Sequence, residues 1–317
     1  MSKQWQPCAG QDVIQLRSDL LGKIRNFMNE RQIMEVDTPA LNLGSIPDSN
    51  IDSVSTSLSL LGSKQSFYLH TSPEAYMKRL LASGCDSIYQ ISKVYRDAEI
   101  GRLHQPEFSM LEWYRPEFDH HSLMDEVKAL LSTLGLDNAE RNSYENSFMH
   151  YLDVNPHTAP LSDLQSLAGN LGLHEESDDR SLLLEFLFSH SVSPNLGQDR
   201  PLFLYDYPEC QAALARLSDT TPLTSERFEL FIQGMEIANG YHELCDVNEQ
   251  RERFENENRR RIQNGKAEIR IDEYFMNALQ AGLPKCAGVA IGIERLLMVL
   301  SGKQHINDVM TFPIKND

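Results

Sequence analysis

The sequence has few basic residues for its length and lacks any apolar run long enough to cross a membrane. It contains 317 residues, with 29 Lys and Arg against 46 Asp and Glu, so its net charge at neutral pH is −17. This balance argues against binding nucleic acid through a broad basic face, although it leaves room for a local basic patch. A membrane helix needs about 20 consecutive apolar residues, and no stretch of the sequence approaches that length.

Cysteines are also few, and none of their spacings is typical of metal ligands. The five are Cys8, Cys85, Cys210, Cys245 and Cys286. This pattern favours reduced structural thiols. Residues 1–10 carry only Lys3 as a basic residue and no apolar segment of the secretory type, so we expect a cytoplasmic protein. A hydrophobic content of 41% and a charged content of 24% are typical of a folded globular chain.

The first third of the chain contains two clear helical patterns. Apolar residues at helical spacing predict a helix from about Asp12 to Arg31, followed by a short strand that ends before Pro39. A second helix is predicted to begin at residues 71–74, with a hydroxyl N-cap and a proline in its first turn. Gly84 is placed to end it.

Two segments of alternating polarity predict a pair of strands in the middle of the chain. They run from Ile88 to Arg96 and from Phe108 to Tyr114, and their connector is long and charged. Connectors of this kind are more often functional than structural. Beyond them we predict a mostly helical, acidic region over 118–200 and short strands at 201–207 and 228–236.

The last part of the chain is predicted to hold a charged helix over 249–263 and a short helix over 272–280. An apolar strand over 287–292 then runs into a buried helix that begins with an ion pair between Glu294 and Arg295. Strands separated by long helical or irregular stretches indicate an α+β fold, in which an antiparallel sheet is flanked by helices.

Three segments combine arginines, carboxylates and glycines: Val94–Tyr114, Glu226–Leu244 and Gly288–Arg295. Together with the first helix, they resemble the signature motifs of the class II aminoacyl-tRNA synthetases. The helix up to Pro39 resembles motif 1, the predicted strand pair around Arg96 and Phe108 resembles motif 2, and the glycine-rich strand ending in Arg295 resembles motif 3. The similarity is greatest to the lysyl-tRNA synthetase branch, through residues 72–74, 106–108 and 236–244.

The resemblance implies that ATP activates a carboxylate substrate. The guanidinium fork suits phosphate oxygens, and the resemblance implies that Arg96 and Arg295 are the catalytic residues, at the α- and γ-phosphates respectively. Phe108 resembles the ring that stacks on adenine. The implied ATP-binding set is Arg96, Asp97, Glu99, His104, Gln105, Phe108, Glu236, Ile237, Gly292 and Arg295.

Two further carboxylates match those that bind Mg²⁺ in this family, Glu229 and Glu236. Strict alternation along one strand would put them on opposite faces, so both can bind one ion only if the strand has a bulge or ends early. Gly234, which lies between them, is the residue that would allow this.

The amino-acid pocket implied by the resemblance consists of Ser72, Pro73, Glu74, Tyr114, Asn239, Tyr241, Glu243 and Ala290. Two carboxylates in one pocket, Glu74 and Glu243, are costly unless cations neutralise them, so we expect a diamino acid such as lysine. Ala290 stands where lysyl-tRNA synthetases usually have glycine. Its methyl group should crowd an α-amino group and favour an amine one carbon further along.

The chain departs from the family pattern in motif 2, which usually reads Arg-x-Glu. Residues 96–98 read Arg-Asp-Ala, and Glu99 comes next. Either Glu99 substitutes for the usual glutamate after a small loop shift, or ATP binding is altered. Gln105 stands where asparagine is common, and Glu294 stands where aspartate is usual.

The length of the chain indicates which branch of the family the sequence resembles. Lysyl-tRNA synthetases carry an anticodon-binding barrel before motif 1, and this sequence has no room for one. We therefore expect a single class II catalytic domain over 1–317, with a helical insertion at about 145–200. A freestanding core of this kind is similar to the elongation factor P lysine ligases, which adenylate (R)-β-lysine and transfer it to a lysine of elongation factor P. This similarity implies ATP and Mg²⁺ as cofactors, elongation factor P as acceptor, no stable tRNA binding and a homodimer formed through motif 1.

Other functions remain open at this stage. One is the same chemistry in a truncated lysyl-tRNA synthetase-like or asparagine-synthetase-like ligase, and another is a non-catalytic paralogue that only binds a partner. The retained charged residues weigh against the binding paralogue, whereas Ala98 weighs for it. Because the acceptor is itself expected to be acidic, docking requires a local basic patch. The arginines of 249–263 are one candidate for that patch.

Overall fold

The computed structural model describes residues 5–174 and 177–314. Its strands are β1 (Met34–Glu35), β2 (Leu41–Asn42), β3 (Ser55–Leu60), β4 (Ser63–Leu69), β5 (Ile88–Tyr95), β6 (Glu107–Pro116), β7 (Glu140–Ser143), β8 (Leu202–Pro208), β9 (Thr224–Ile232), β10 (Met235–His242) and β11 (Cys286–Gly292). Its α-helices are α1 (Gln11–Glu30), α2 (Glu74–Ala82), α3 (His120–Thr133), α4 (Tyr144–Leu152), α5 (Leu161–Asn170), α6 (Arg180–Leu187), α7 (Val247–Gln263), α8 (Glu273–Gly282) and α9 (Ile293–Ser301).

The strands form one sheet of eight, in the order β1-β5-β6-β11-β10-β9-β8-β7, and one of three, in the order β2-β4-β3. The pairs β5–β6, β8–β9 and β9–β10 are antiparallel, whereas β1–β5 and β7–β8 are parallel. The predicted α+β class is confirmed, with a parallel pair at each edge of the large sheet. None of the described helices is long and apolar enough to cross a membrane.

The chain divides into two compact units. Unit 1 comprises Met1–Pro116, Cys245–Lys285 and Ala290–Asp317, and unit 2 comprises Glu117–Leu244 and Cys286–Val289. The single catalytic domain with an insertion at about 145–200 stays a prediction.

Unit 1 contains both of the first predicted helices. The apolar stripe of α1, including Leu20, Ile24 and Phe27, is buried. The prediction for the start of α2 was wrong in its capping. Pro73 itself is the N-cap and makes no side-chain cap hydrogen bond, so no hydroxyl fills that role. Gly84, at φ 99°, follows the C-cap and ends the helix as predicted.

In unit 2 the predicted single strand over 228–236 was wrong. The segment is a hairpin of β9 and β10, joined by Gln233 and Gly234 at φ 54° and 71°. Positive φ at both central residues defines a type I′ turn, which matches the twist of paired strands. The region after β7 is largely helical as predicted, and α4, α5 and α6 enclose a buried apolar cluster that includes Phe148 and Leu187.

Gly240 in β10 has no space for a side chain. A Cβ atom there would lie 3.1 Å from Cβ of Val289 and well inside the contact radius of the buried Phe228 ring. We expect Gly240→Ala to lower the free energy of unfolding by about 1–3 kcal/mol, measured by urea denaturation. Gly169→Ala in α5 is the matched control, because its Cβ would meet no atom within 4 Å. The control should be stabilising by about 0.5–1 kcal/mol, and equal effects of the two changes would contradict this prediction.

Candidate active site

Arg96 lies at the mouth of the β5–β6 hairpin in unit 1. Its backbone nitrogen donates to the carbonyl of Pro106 over 2.9 Å, so this hydrogen bond joins the two ends of the connecting loop directly beyond the paired strands. The guanidinium carbon of Arg96 lies 5.2 Å from the ring centroid of Phe108, within range of a cation–π contact. The two residues that the sequence assigns to phosphate and adenine are therefore neighbours.

The loop after Arg96 brings Glu99, rather than the residue at position 98, towards the arginine. Ala98 adopts a left-handed conformation at φ 60°, and the backbone nitrogen of Asp97 donates to the carbonyl of Asp52 over 2.7 Å. Glu99 Oε1 lies 3.9 Å from Nη1 of Arg96. This contact supports the hypothesis that Glu99 takes the place of the usual motif 2 glutamate.

Arg295 at the start of α9 contacts the same loop. Its Nη2 donates to Nε2 of His104 over 2.8 Å, and its Nε donates to the carbonyl of Leu103 over 3.3 Å. The predicted ion pair between Glu294 and Arg295 was wrong. Glu294 instead binds Nη1 of Arg17 over 2.9 Å and accepts from the backbone nitrogen of Ser109 over 2.8 Å.

Gln105 differs from the other predicted ATP-binding residues. It is buried, and its Nε2 donates to Oδ1 of Asn307 over 2.9 Å and to the carbonyl of Ile314 over 3.0 Å. Its Oε1 accepts from the backbone nitrogen of Ile314 over 3.0 Å. Because the amide already makes three hydrogen bonds within the protein, direct ATP binding by Gln105 is not the role that this geometry favours. It ties the loop to the C-terminal segment.

Glu74, predicted to contact substrate, is already paired within α2. It forms a short ion pair with Nζ of Lys78, one turn further along the helix, and both residues are buried. The expectation that a substrate must neutralise this carboxylate was therefore wrong. Tyr114, also buried, donates from its hydroxyl to Oε1 of buried Glu112 over 2.7 Å.

The remaining predicted residues of unit 1 differ in exposure. Ser72 and Pro73 precede α2, and Pro73 is buried whereas Ser72 is half-buried. Ala290 and Gly292 in β11 are half-buried. A Cβ atom on Gly292 would meet nothing within 4 Å, so open space adjoins the backbone at the end of the motif 3 strand.

In unit 2 the β9–β10 hairpin places Glu229 and Glu236 on one face. Glu229 pairs with Asn239 and Glu236 pairs with Phe231, and the register shifts between Glu236 and Ala238. Paired residues share a face, and Phe231 lies two positions from Glu229, so all four point the same way. The strand therefore ends early, one of the two outcomes that Gly234 was expected to allow, and the reversal at 233–234 brings Glu236 to the face of Glu229. A separate bulge lies at Ile237, after Glu236.

Arg227 is the functional candidate that the sequence interpretation missed. It forms a short ion pair with Oε1 of Glu229, and its Nε donates to Oδ1 of Asn239 over 3.2 Å. Glu229 also accepts from the hydroxyl of Tyr207 over 2.6 Å. The i, i+2 spacing of Arg227 and Glu229 in a strand was the available signal, because it places both on one face.

Burial controls the protonation of Glu229. It raises the pKa of this carboxyl to about 7, with Arg227 and the Tyr207 hydrogen bond acting in the opposite direction and Glu236 adding to the rise. A carboxyl group in this range can gain or lose its proton near neutral pH.

The other unit 2 candidates lie on or beside the same hairpin. Ile237 is buried at the bulge, Asn239 and Tyr241 share the face of Glu229, and Glu243 is buried directly after β10. The backbone nitrogen of Glu243 donates to the carbonyl of Cys286 over 2.9 Å, which fixes the chain at this position.

The arginines of α7 do not form the simple basic patch proposed from the sequence. Arg261 is buried and binds Oδ1 of Asp52 over 2.8 Å. The others have partners as well: Arg251 with Glu273, Arg253 with Glu249, Arg259 with Asn256, and Arg260 with Glu257. Most of this charge is neutralised locally.

Comparisons with known proteins agree with these features. The family model for tRNA synthetases class II (D, K and N) matches residues 8–316. The chain is 44% identical to "Elongation factor P--(R)-beta-lysine ligase" of Vibrio cholerae, over 98% of each chain. Proteins of the same name from Photobacterium profundum and Histophilus somni are 45% and 43% identical, each over at least 98% of both chains.

Proposed function

The chain belongs to the class II tRNA synthetase family (D, K and N), and from this premise we propose that it is an ATP-dependent ligase that attaches (R)-β-lysine to a lysine of elongation factor P. The observation that carries the proposal is identity of 43–45% over nearly the whole length of relatives with that named activity. The arginines of motifs 2 and 3 and the carboxylates of β9 and β10 supply the charges that such a reaction needs.

The first step forms an adenylate. The substrate carboxylate attacks the α-phosphorus of ATP in line, and the bond to pyrophosphate breaks. We assign Arg96 to the α-phosphate and Arg295 to the departing pyrophosphate, because fixed guanidinium groups stabilise negative charge as it develops. Phe108 would stack on adenine, and Glu99 would replace the usual motif 2 glutamate. In the second step the neutral ε-amine of the acceptor attacks the mixed anhydride and AMP leaves.

Glu229 and Glu236 fit a magnesium ion, because the turn at 233–234 pairs Glu236 with Phe231 and so puts both carboxylates on one face of the hairpin. Magnesium accepts one or two protein carboxylates together with phosphate oxygens. When bound, it neutralises phosphate charge. Arg227 holds Glu229 in place through its ion pair.

Magnesium binding is expected to strengthen as the pH rises. Burial raises the pKa of the Glu229 carboxyl to about 7, and this group must lose its proton before it can bind a cation. Calorimetric titration with Mg²⁺ and an ATP analogue should therefore show affinity increasing from about pH 6 to about pH 8. Glu229→Gln should bind more weakly and lose this pH dependence. An unchanged pH profile in that variant would contradict the assignment.

We propose that Glu243 contacts an ammonium group of the substrate. Glu74, expected to act with it, forms an ion pair with Lys78 within α2. Glu243 is buried at the end of β10, and a buried carboxylate recognises an ammonium group more strongly than an exposed one does. We place Ser72, Tyr114, Asn239 and Tyr241 in the same recognition set on the strength of the family resemblance.

Ala290→Gly is expected to shift preference towards α-lysine. Removing one methyl group should relieve crowding against an α-amino group, and a single methylene-sized change is worth about 1–3 kcal/mol in selectivity. The measurement is the ratio of kcat/KM for α-lysine and (R)-β-lysine in ATP–pyrophosphate exchange. Ala287→Gly, at a fully buried position of the same strand, is the control. No gain for α-lysine in Ala290→Gly would remove the steric argument.

Two assays test the function as a whole. ATP–pyrophosphate exchange with (R)-β-lysine, α-lysine and asparagine separates the ligase from its asparagine-activating alternative, and no exchange with any of them would favour a binding paralogue. Labelled β-lysine is then offered with elongation factor P or with tRNA. Label on the protein supports the proposal, and label on tRNA would contradict it.

We also propose that the protein is a homodimer. The edge strand β1 is exposed and carries Met34, an apolar side chain with 52% exposure. An unpaired edge with an exposed apolar residue is suited to pairing with a second copy. Gel filtration at micromolar concentration should give a dimer, and a monomer there would count against this proposal.

A further inference from the structure

A second cluster of possible metal ligands lies in unit 2, and the function proposed above makes no use of it. It consists of His120 at the start of α3, Glu226 in β9 and His242 at the end of β10. Each offers one ligand atom, and these atoms all lie within 4.8 Å of one another. Oε2 of Glu226 and Nδ1 of His242 are 2.5 Å apart.

The pleat of the hairpin separates this cluster from the magnesium candidates. Arg227 pairs with Tyr241 across β9 and β10, so the next residues, Glu226 and His242, point to the opposite face. Helix α3 packs on that face, which is how His120 reaches the two strand residues. The cluster is therefore distinct from Glu229 and Glu236.

His120 is the second, independent observation. The residue is only 5% exposed, and neither of its ring nitrogens has a hydrogen-bond partner among the residues that the structure describes. Buried polar groups without partners are rare in native proteins, and an imidazole nitrogen aimed at a carboxylate and a second imidazole fits a metal ion. Oδ1 of Asp206 lies 3.6 Å from Nε2 of His120, where it can serve as a fourth ligand or orient the ring.

The donor set decides the type of metal. Two imidazoles and a carboxylate suit zinc and similar transition metals, whereas magnesium prefers oxygen ligands alone. Ligand atoms around a tetrahedral zinc ion lie about 3.4 Å apart, so small side-chain rotations would suffice here. Nε of Arg216 lies 3.5 Å from Oε2 of Glu226. When the metal binds, this guanidinium group must move away or contact the other carboxylate oxygen.

We propose that His120, Glu226 and His242 bind a divalent transition-metal ion of the Zn²⁺ type, which fastens α3 to the β9–β10 hairpin. The role is structural: the ion would restrict the motion of β9 and β10 from the face opposite to Glu229 and Glu236. Binding requires neutral imidazoles and releases any proton they hold.

The test uses the full-length protein after dialysis against a chelator. Titration with Zn²⁺ in competition with a chromophoric chelator should show one tight site, and Co²⁺ should give the visible absorption of a tetrahedral site. His120→Ala and His242→Gln should each weaken binding by about 100-fold or more, and Zn²⁺ should raise the Tm of the parent protein but not of these variants.

Two controls separate this site from others. Glu229→Gln should retain full Zn²⁺ affinity, because it alters only the magnesium candidate, and His150→Ala should retain it because that histidine is exposed. Circular dichroism verifies that each variant is folded, and His242→Gln provides an answer if His120→Ala does not fold. Unchanged affinity in the folded His242→Gln variant, or loss in Glu229→Gln, would overturn the proposal.

Discussion

Arg295→Ala is expected to lower ATP–pyrophosphate exchange by about 100- to 1,000-fold while leaving the protein folded. A fixed donor aimed at charge that develops in the transition state is worth this much, and its removal acts on kcat more than on KM. Arg295 is held by His104 and by the carbonyl of Leu103, so its guanidinium group is oriented before ATP arrives. Arg295→Lys should recover only part of the loss, because an ammonium group lacks the planar fork.

The matched control for this prediction is Arg102→Ala. Arg102 lies in the loop that Arg295 contacts, and its Nη1 donates to the carbonyl of Gln304 over 3.3 Å. Exchange in the control should remain close to that of the parent protein. If Arg295→Ala and Arg102→Ala lowered exchange equally, the effect would come from loop stability rather than from phosphate binding.

Local patterns account for the elements that the sequence predicted well. The first helix spans Gln11–Glu30, within a residue of the prediction. It was predictable because apolar residues recur at helical spacing and every turn therefore places one on the same buried face. The strand pair around Arg96 was also predictable, since alternation and a charged connector are both short-range features. Their pairing, Val94 with Phe108, then follows from antiparallel geometry.

The faces of Glu229 and Glu236 could not be read from alternation. The turn between them decides the outcome: the chain reverses at 233–234, and Glu236 then pairs with Phe231, which lies on the face of Glu229. A slip of one residue in this pairing would put Glu236 on the opposite face. The glycine at 234 indicated an interruption, yet it did not indicate whether the chain would bulge or reverse direction.

The partners of buried charges were the other feature that sequence patterns left undetermined. Glu74 and Lys78 stand four residues apart on a helix, a spacing that permits an ion pair on any surface helix. Only the packing of α2 shows that both are buried and that the pair is an internal one. The need to neutralise Glu74 therefore no longer indicates a diamino acid as substrate, because Lys78 already pairs with this carboxylate before any ligand binds.

Arg227→Met should lower the free energy of unfolding by about 3–5 kcal/mol. The change leaves the Glu229 carboxylate buried without its cation, and breaking one side of a buried pair costs more than the pair itself contributes. Arg200→Met is the control: its pair with Glu140 has side-chain exposures of 54% and 55%, so the loss should be below about 1 kcal/mol. Urea denaturation measures both.

The double variant Arg227→Met with Glu229→Leu tests whether the loss comes from the stranded carboxylate. Removing both charges should recover much of the stability, so the two changes should be strongly non-additive.

The pH dependence of the stability loss provides an independent test. Burial already raises the pKa of Glu229 to about 7, and without Arg227 it must rise further, so the folded state then holds a proton that the unfolded chain has released. The deficit of Arg227→Met should therefore be smaller at about pH 5 than at about pH 8. A deficit that is equal at both pH values, with additive single changes, would assign the loss to packing of the arginine stem rather than to its charge.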